Sequence, residues 1–295
     1  MNQSEEKIIQ IQKIYQNIDN SFIRNQGILI SKKIKKEDIL KLSKSIENFI
    51  YKSLKEFNPK KKISKKNFLN KNIDLITKLP NVTPGGQIRG IKELIKEYNL
   101  IHKEFSRVLK KINLLYSLER LSWFSARVKR GNDTIHYKKH TYSTSKKHSD
   151  MWAGERNHGK IVLMLMGDVK KNTVSFYKPT KFSKKAFTFG KKSYDVGLKQ
   201  VQKTRFLAKA KKGELCLFDQ YCLHKTYLSK KAKPRISIDM RVDISGSKIY
   251  NNRTSVKEDE RLILYKRKHW QKLNYKNIKY HCKSAKEIKK LYGYN

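Results

Sequence analysis

The chain has 295 residues, of which 69 are Lys or Arg and 25 are Asp or Glu, so its formal charge is +44 at pH 7. With 38% hydrophobic and 11% aromatic residues it has enough apolar material to bury a core, which excludes a wholly disordered chain. The longest apolar run, residues 161–166, is too short to span a bilayer, so no transmembrane segment is expected.

Residues 1–6 do not form a positive region that leads into an apolar stretch, so no secretory signal is expected. The three cysteines, Cys216, Cys222 and Cys282, are odd in number and lack Cys-x-x-Cys spacing. This pattern argues against a disulfide framework or a zinc ribbon. We therefore expect reduced thiols and a cytoplasmic protein.

The excess of positive charge has two interpretations. It consists of 56 Lys and 13 Arg, beside many Ile, Asn and Tyr residues, which is a composition that AT-rich coding sequence produces without selection for binding. A polyanionic partner is the alternative, because basic surfaces gain affinity by releasing the counterions of phosphates. Nucleic acid is therefore a possible partner, but composition bias is favoured because dedicated readers of nucleic acid rely more on Arg.

Apolar residues at steps of three and four predict amphipathic helices over residues 8–22, 39–57 and 88–115. Short aromatic or β-branched segments with Gly or Lys-Asn turns between them predict strands in the centre of the chain. These strands are expected at residues 121–128, 135–142, 161–166, 173–177, 186–189, 214–218 and 235–242. One or two basic helices are expected in 251–295.

This order of elements predicts a mainly β fold with a helical buttress. Several short strands at regular spacing are typical of a jelly roll or barrel. We expect an N-terminal helical region in residues 1–120, a β core in 121–245 and a basic C-terminal helical segment in 246–295.

A candidate metal site begins at His148-Ser149-Asp150. Alternate residues of a strand point to the same side, so an imidazole and a carboxylate at this spacing can meet one ion. The predicted strand at 214–218 leads to His224, which supplies a second imidazole. Two histidines and one carboxylate form the facial triad that leaves three positions of Fe(II) open.

Arg235 and Ser237 follow His224 and lie two residues apart on the last predicted strand. Their side chains therefore face the same direction, and a guanidinium beside a hydroxyl suits the distal carboxylate of a dicarboxylic acid. The competing interpretation is that Arg235 forms a surface pair with Asp239 on the same strand.

These motifs resemble those of the Fe(II)/2-oxoglutarate-dependent dioxygenase superfamily, and within it the phytanoyl-CoA dioxygenase-like branch. The resemblance covers residues 122–242 and depends on His148-Ser149-Asp150, His224 and Arg235-Ile236-Ser237. It implies a double-stranded β-helix, the cupin-like jelly roll, preceded by N-terminal helices.

By the same resemblance, His148, Asp150 and His224 are implied as iron ligands, and Arg235 and Ser237 as the residues that hold 2-oxoglutarate. Iron, 2-oxoglutarate and O2 are the implied cofactor and cosubstrates, and succinate and CO2 the products. Asp150 favours hydroxylation or a desaturation-type oxidation over halogenation, since related halogenases have a small residue at that position.

The substrate is expected to be a small molecule. Trp152-Ala153-Gly154-Glu155 resembles the streptomycin-biosynthesis dioxygenase-like subset, which implies sugar or aminocyclitol chemistry. Trp152 can stack on a sugar ring and Glu155 can accept hydrogen bonds, unless Trp152 only packs under a loop. Further candidates at the mouth of the site are Arg127, Tyr142, Lys147 and Arg241.

Two alternatives compete with a small-molecule hydroxylase. The pair Arg235 and Arg241 is also the two-arginine pattern of the nucleic-acid demethylases in this superfamily, although the Asn-x-Tyr signature of that group is missing from 135–147. The second alternative is a basic binding module without catalytic activity, which requires the metal motif to be coincidental. Neither the sequence nor the resemblance predicts an oligomeric state.

Overall fold

We describe a computed structural model of the protein. It defines residues 29–83, 85–131, 143–153, 159–182, 186, 193–219, 222–244, 265–274, 276 and 283–291. The predicted helix at 8–22, the predicted strand at 135–142 and most of the predicted strand at 186–189 lie outside these ranges.

The predicted elements that the structure describes occur in the predicted order, with corrected bounds. The helix predicted at 88–115 covers only Ile95–Lys111, the strand predicted at 121–128 is two strands separated by residues 122–124, and the helices Phe68–Thr77 and Tyr194–Lys199 were not predicted. The helices are α1 (Lys36–Phe57), α2 (Phe68–Thr77), α3 (Ile95–Lys111), α4 (Tyr194–Lys199), α5 (Arg267–Trp270) and α6 (Ala285–Leu291). The strands are β1 (Leu29–Lys33), β2 (Gln87–Ile88), β3 (Leu118–Leu121), β4 (Ser125–Lys129), β5 (Gly159–Gly167), β6 (Asn172–Phe182), β7 (Val201–Lys209), β8 (Glu214–Asp219), β9 (Leu223–Leu228), β10 (Arg235–Ile244) and β11 (Tyr265–Lys266).

The two long helices, α1 and α3, pack against each other and against the β core. Each helix buries one apolar face, as the periodicity predicts. The ring centroids of Phe49 on α1 and Tyr98 on α3 lie 5.2 Å apart between these faces. Lys111 Nζ lies 2.8 Å from Asp38 Oδ1 and pairs the end of α3 with the start of α1. The helices therefore form the expected buttress.

The strands form two antiparallel sheets. The large sheet has the order β1-β8-β5-β10-β3-β11, with β4 beside β10 and β2 beside β4, and the small sheet has the order β7-β6-β9. Along the chain, β5 belongs to the large sheet, β6 and β7 to the small one, β8 to the large, β9 to the small and β10 to the large. This alternation between two facing sheets is the jelly-roll arrangement, and it confirms the predicted double-stranded β-helix.

Two strands of the small sheet were not predicted. β7 and β9 carry Lys, Gln, Thr and His between their apolar residues, so the hydrophobic pattern that identifies a buried strand is weak in both. Both strands take their places by pairing with β6 on its two sides. At the edge of the large sheet, β1 pairs with β8, so the N-terminal region contributes a strand as well as helices.

One hydrophobic core contains residues from all three predicted parts of the chain, among them Ile46, Ile161 and Trp270. Trp270 is fully buried in α5, and its indole N–H donates to the Ser122 carbonyl at 3.0 Å. The three-part division of the chain stays a prediction. Among the described helices, none combines the length and apolar character that a bilayer crossing requires.

Candidate active site

The two histidines of the metal motif lie on neighbouring segments at the inner side of the small sheet. His148 forms an antiparallel bridge with His224, and their backbones exchange hydrogen bonds of 3.0 and 2.9 Å. Asp150 is the first residue of a 3-10 helix that ends at Ala153, rather than a strand residue as expected. The turn, instead of strand alternation, brings its carboxylate between the imidazoles.

The three side chains form a compact set of metal-binding atoms. Nε2 of His148 and Nε2 of His224 each lie 3.6 Å from Asp150 Oδ1, and all three residues are buried. The Nδ1 atoms contact backbone carbonyls, at 2.8 Å for His148 with Lys146 and 2.9 Å for His224 with Cys222. Nδ1–H donation to a carbonyl fixes the tautomer and leaves Nε2 as the free electron-pair donor, as in metal-ligating histidines.

The surroundings keep His148 uncharged. Burial, and after it the neighbouring His224, lowers the pKa of His148 to about 3, while Asp150 and the Lys146 carbonyl act in the opposite direction. The ring of Tyr194 stacks on His148 with centroids 4.1 Å apart. A neutral imidazole is the form that binds a metal ion, so the residues present fit a 2-His-1-carboxylate site for Fe(II).

The second oxygen of the Asp150 carboxylate is held by a residue that sequence reasoning missed. Lys160 Nζ, on β5, lies 2.8 Å from Asp150 Oδ2. Because Oδ2 contacts the lysine, Oδ1 is the oxygen directed at both imidazoles. One signal in the sequence could have identified it: Lys160 directly precedes the longest apolar run. Burying an unpaired charge in such a strand is energetically costly, so a lysine there is expected to have an acidic partner.

Arg235 and Ser237 lie side by side on β10, as predicted. Arg235 Nη1 donates to Ser237 Oγ at 2.6 Å and Nε donates to Asn172 Oδ1 at 3.1 Å. Asn172 is fully buried, and its amide donates to the carbonyls of Lys129, Arg130 and Lys233. Asn172, which the sequence did not single out, therefore fixes the orientation of the guanidinium.

The Arg235 guanidinium is almost completely buried at 2% exposure. Burial lowers its pKa to about 10, with a contribution from nearby Arg127, while Asp239 acts in the opposite direction. Arg235 thus stays protonated at neutral pH. A buried cation with its remaining N–H groups in a cavity is a recognition element for a carboxylate.

Asp239 pairs with Arg127 of β4 instead of forming a surface pair with Arg235. Arg127 Nη2 lies 3.0 Å from Asp239 Oδ2, and Nε lies 3.2 Å from Oδ1. Burial by itself would raise the pKa of Asp239, but Arg127 and then Lys160 and Arg241 hold it below its usual value. The competing interpretation of Arg235 as half of a surface pair is therefore wrong.

Strand alternation explains the composition of the site. Arg235, Ser237, Asp239 and Arg241 line one cavity, while the intervening Ile236, Ile238, Met240 and Val242 are buried in the core. The cavity has a volume of about 160 Å³. The triad, Arg127, Lys129 and Lys160 also line it. The lining of the cavity thus contains five Lys or Arg side chains and two carboxylates, those of Asp150 and Asp239.

The remaining predicted substrate residues have different outcomes. Trp152 is fully buried, its indole N–H donates to the Ala186 carbonyl at 2.7 Å, and its ring packs directly against Gly197. The expected stacking of a sugar on this ring is therefore corrected: Trp152 is a core residue. Lys147 donates to Thr204 Oγ1 and does not line the cavity. Tyr142 and Glu155 lie outside the described residues.

No family model and no curated protein matches the sequence. Solved structures similar to this chain include the non-heme alpha ketoglutarate dependent carbocyclase SnoK from nogalamycin biosynthesis, at 10% identity and a TM-score of 0.46, covering 76% of this chain and 82% of that one. AviO1 from Streptomyces viridochromogenes Tue57 is 10% identical with a TM-score of 0.42, covering 75% and 92%. EctD from S. alaskensis, solved with 2-oxoglutarate and 5-hydroxyectoine, is 12% identical with a TM-score of 0.38, covering 77% and 74%. These likenesses are weak, and the residues of the site carry the assignments that follow.

Proposed function

We propose that the protein is an Fe(II)- and 2-oxoglutarate-dependent oxygenase that hydroxylates a small molecule. The observation that carries this proposal is the buried set of His148, Asp150 and His224, with both Nε2 atoms 3.6 Å from one carboxylate oxygen. The buried Arg235 in the same cavity supports it, because a cation at this position suits the second carboxylate of 2-oxoglutarate.

Each residue of the site has a defined task in this proposal. His148, Asp150 and His224 would hold Fe(II), and Arg235 with Ser237 would bind the distal carboxylate of 2-oxoglutarate. When bound, the metal and its cosubstrate supply the oxidation of a substrate C–H bond by O2, with release of succinate and CO2. Lys160 and Asn172 are positioning residues, since they orient Asp150 and Arg235 respectively.

The cavity also bears on the substrate class. The expectation of a sugar or aminocyclitol drew on the resemblance of residues 152–155 and 235–241 to one subset of the family, and on sugar stacking by Trp152, which is buried. The five cations and two carboxylates of the lining favour a neutral or anionic substrate over a cationic aminocyclitol. We keep hydroxylation, the phytanoyl-CoA dioxygenase-like branch and a cytoplasmic location as proposals.

An anaerobic visible spectrum tests the proposed function. We expect a weak charge-transfer band that requires both Fe(II) and 2-oxoglutarate and is absent in His224→Ala. A suitable control is His269→Ala, which removes an imidazole outside the cavity and should retain the band. Folded wild-type protein without a band would contradict the proposal and favour the binding module without catalytic activity.

A nucleic-acid demethylase of the same superfamily is the second candidate. The observation in its favour is that Arg241 lines the cavity together with Arg235, so both members of the two-arginine pattern reach the site. Release of formaldehyde from an N-methylated oligonucleotide would support this candidate. Succinate formation with small molecules only would exclude it.

A further inference from the structure

The small sheet has a second face, which points away from the metal motif. Phe176 and His224 are paired in register and both rings approach Phe218 of the large sheet, at 5.0 and 5.1 Å, so they mark the inner face. Successive residues of a strand point to opposite faces. Tyr177 and Lys225, the neighbours of these two residues, therefore lie on the outer face.

The outer face combines aromatic rings with lysines, and we define it by Tyr177, Phe206, Tyr227, Lys147, Lys209 and Lys225. Phe206 pairs with Tyr177 in register, and Lys209 and Lys225 both pair with Ser175. Tyr227 lies two residues beyond Lys225 on β9, and therefore on the same face.

The rings of the outer face are accessible. Phe206 is 52% exposed, and its ring meets that of Tyr177 at 5.9 Å with an interplanar angle of 74°. Tyr177 and Tyr227 are half-buried. Phe206 and Tyr177 together form a small aromatic patch on this face, and such a patch is suited to contact with flat apolar groups.

Cations surround these rings. Lys209 Nζ lies 3.4 Å from the Tyr227 ring centroid, and Lys147 Nζ lies 4.7 Å from that of Tyr177. Lys225 Nζ lies 5.9 Å from the Tyr177 ring centroid. Three lysine ammonium groups thus lie near the two tyrosine rings of this face.

The strands of the small sheet also lack acidic residues. β6, β7 and β9 contain six Lys or Arg residues and no Asp or Glu, whereas Glu119, Glu214, Asp239 and Asp243 occur in strands of the large sheet. The strands of the small sheet thus present cations with no carboxylate in the same strands, and this charge favours a polyanionic partner.

We infer that the outer face of the small sheet binds single-stranded nucleic acid without sequence preference. Flat bases can stack on Phe206 and the tyrosines while phosphates contact Lys209 and Lys225, which is how aromatic and basic surfaces hold single strands. A duplex presents phosphates but keeps its bases stacked within the helix, so it would not use the rings. Because the inner and outer faces are opposite, this binding is independent of the proposed oxygenase function.

Fluorescence anisotropy with a labelled 15-nucleotide oligo(dT) or oligo(U) and a 15-base-pair duplex tests the inference. We expect both single strands to bind more tightly than the duplex. Phe206→Ala should weaken single-strand binding about tenfold, and Phe206→Trp should retain it, because stacking needs only an aromatic face. Both substitutions are at an exposed site, and a thermal unfolding curve confirms that the variants fold.

A matched pair of double variants separates a defined surface from diffuse charge. Lys209→Ala with Lys225→Ala and Lys60→Ala with Lys61→Ala each remove two positive charges, but Lys60 and Lys61 are exposed in the turn after α1. The first pair should weaken binding several-fold and reduce the log–log salt slope by about 1.4. The second should change the Kd less than twofold. Equal losses for both pairs, unchanged binding by Phe206→Ala, or preference for the duplex would overturn the inference.

Discussion

Arg235→Gln tests the proposed cosubstrate site most directly. The substitution removes the charge from a group that is 2% exposed and keeps a side chain that can still contact Asn172. Losing one member of a buried charge pair costs about 3 kcal/mol in binding, which is roughly a 100-fold rise in Kd. We therefore expect the 2-oxoglutarate Kd of Arg235→Gln to rise roughly 100-fold, with metal binding unchanged.

The assay is anaerobic titration of the charge-transfer band with 2-oxoglutarate at saturating Fe(II). Arg241→Gln is the matched control, since it removes the same charge from the same cavity at a position not assigned to the cosubstrate. Its 2-oxoglutarate Kd should change less than about threefold, as expected for a more distant, screened charge. If the two variants weaken binding equally, Arg235 supplies only general positive potential, and its assigned role is wrong.

Three further predictions concern the framework of the site. Asn172→Ala removes from a buried residue the acceptor of the Arg235 Nε–H and the two amide N–H donors that three carbonyls share. The free energy of unfolding in urea should therefore fall by about 3 kcal/mol, and the 2-oxoglutarate Kd should rise. An unchanged Kd would show that Arg235 is oriented without Asn172. The pKa of Asp239 is lower in the folded protein than in the unfolded chain. Its contribution to the free energy of unfolding is therefore fully present above the pKa of the unfolded chain, and it is lost as the pH falls through the pKa of the folded protein. Asp239→Asn should therefore flatten the acid limb of stability measured by denaturation from pH 6 to pH 3, and an unaltered limb would refute this linkage. Gly197→Ala would place a Cβ 2.2 Å from the Trp152 ring and should lower the free energy of unfolding by about 1–3 kcal/mol. The control is Val196→Ala at the neighbouring exposed position, which should be nearly neutral in the same measurement.

A jelly roll or barrel was predictable from the sequence because its long strands carry local signals, and the family resemblance narrowed this to the double-stranded β-helix. β5 has a continuous apolar run, and β10 alternates polar and apolar residues, so one face could be assigned to a cavity and the other to the core. The weaker patterns of β7 and β9 gave no such signal. Their positions follow from pairing with β6, which involves partners that are distant in the sequence.

The candidate site divides in the same way. Residue type and spacing were sufficient to nominate His148, Asp150, His224 and Arg235, since the chemistry of each is local to its side chain. The tertiary structure alone decided which residues orient them. Lys160 reaches Asp150 from β5 to a 3-10 turn, and Asn172 of the small sheet reaches Arg235 of the large sheet, and no local pattern encodes either contact. Burial is likewise a property of the packed molecule. The sequence around a tryptophan that follows a metal motif does not show whether its ring lines a cavity or fills the core. The tertiary structure shows that the Trp152 ring is fully buried and packs against Gly197.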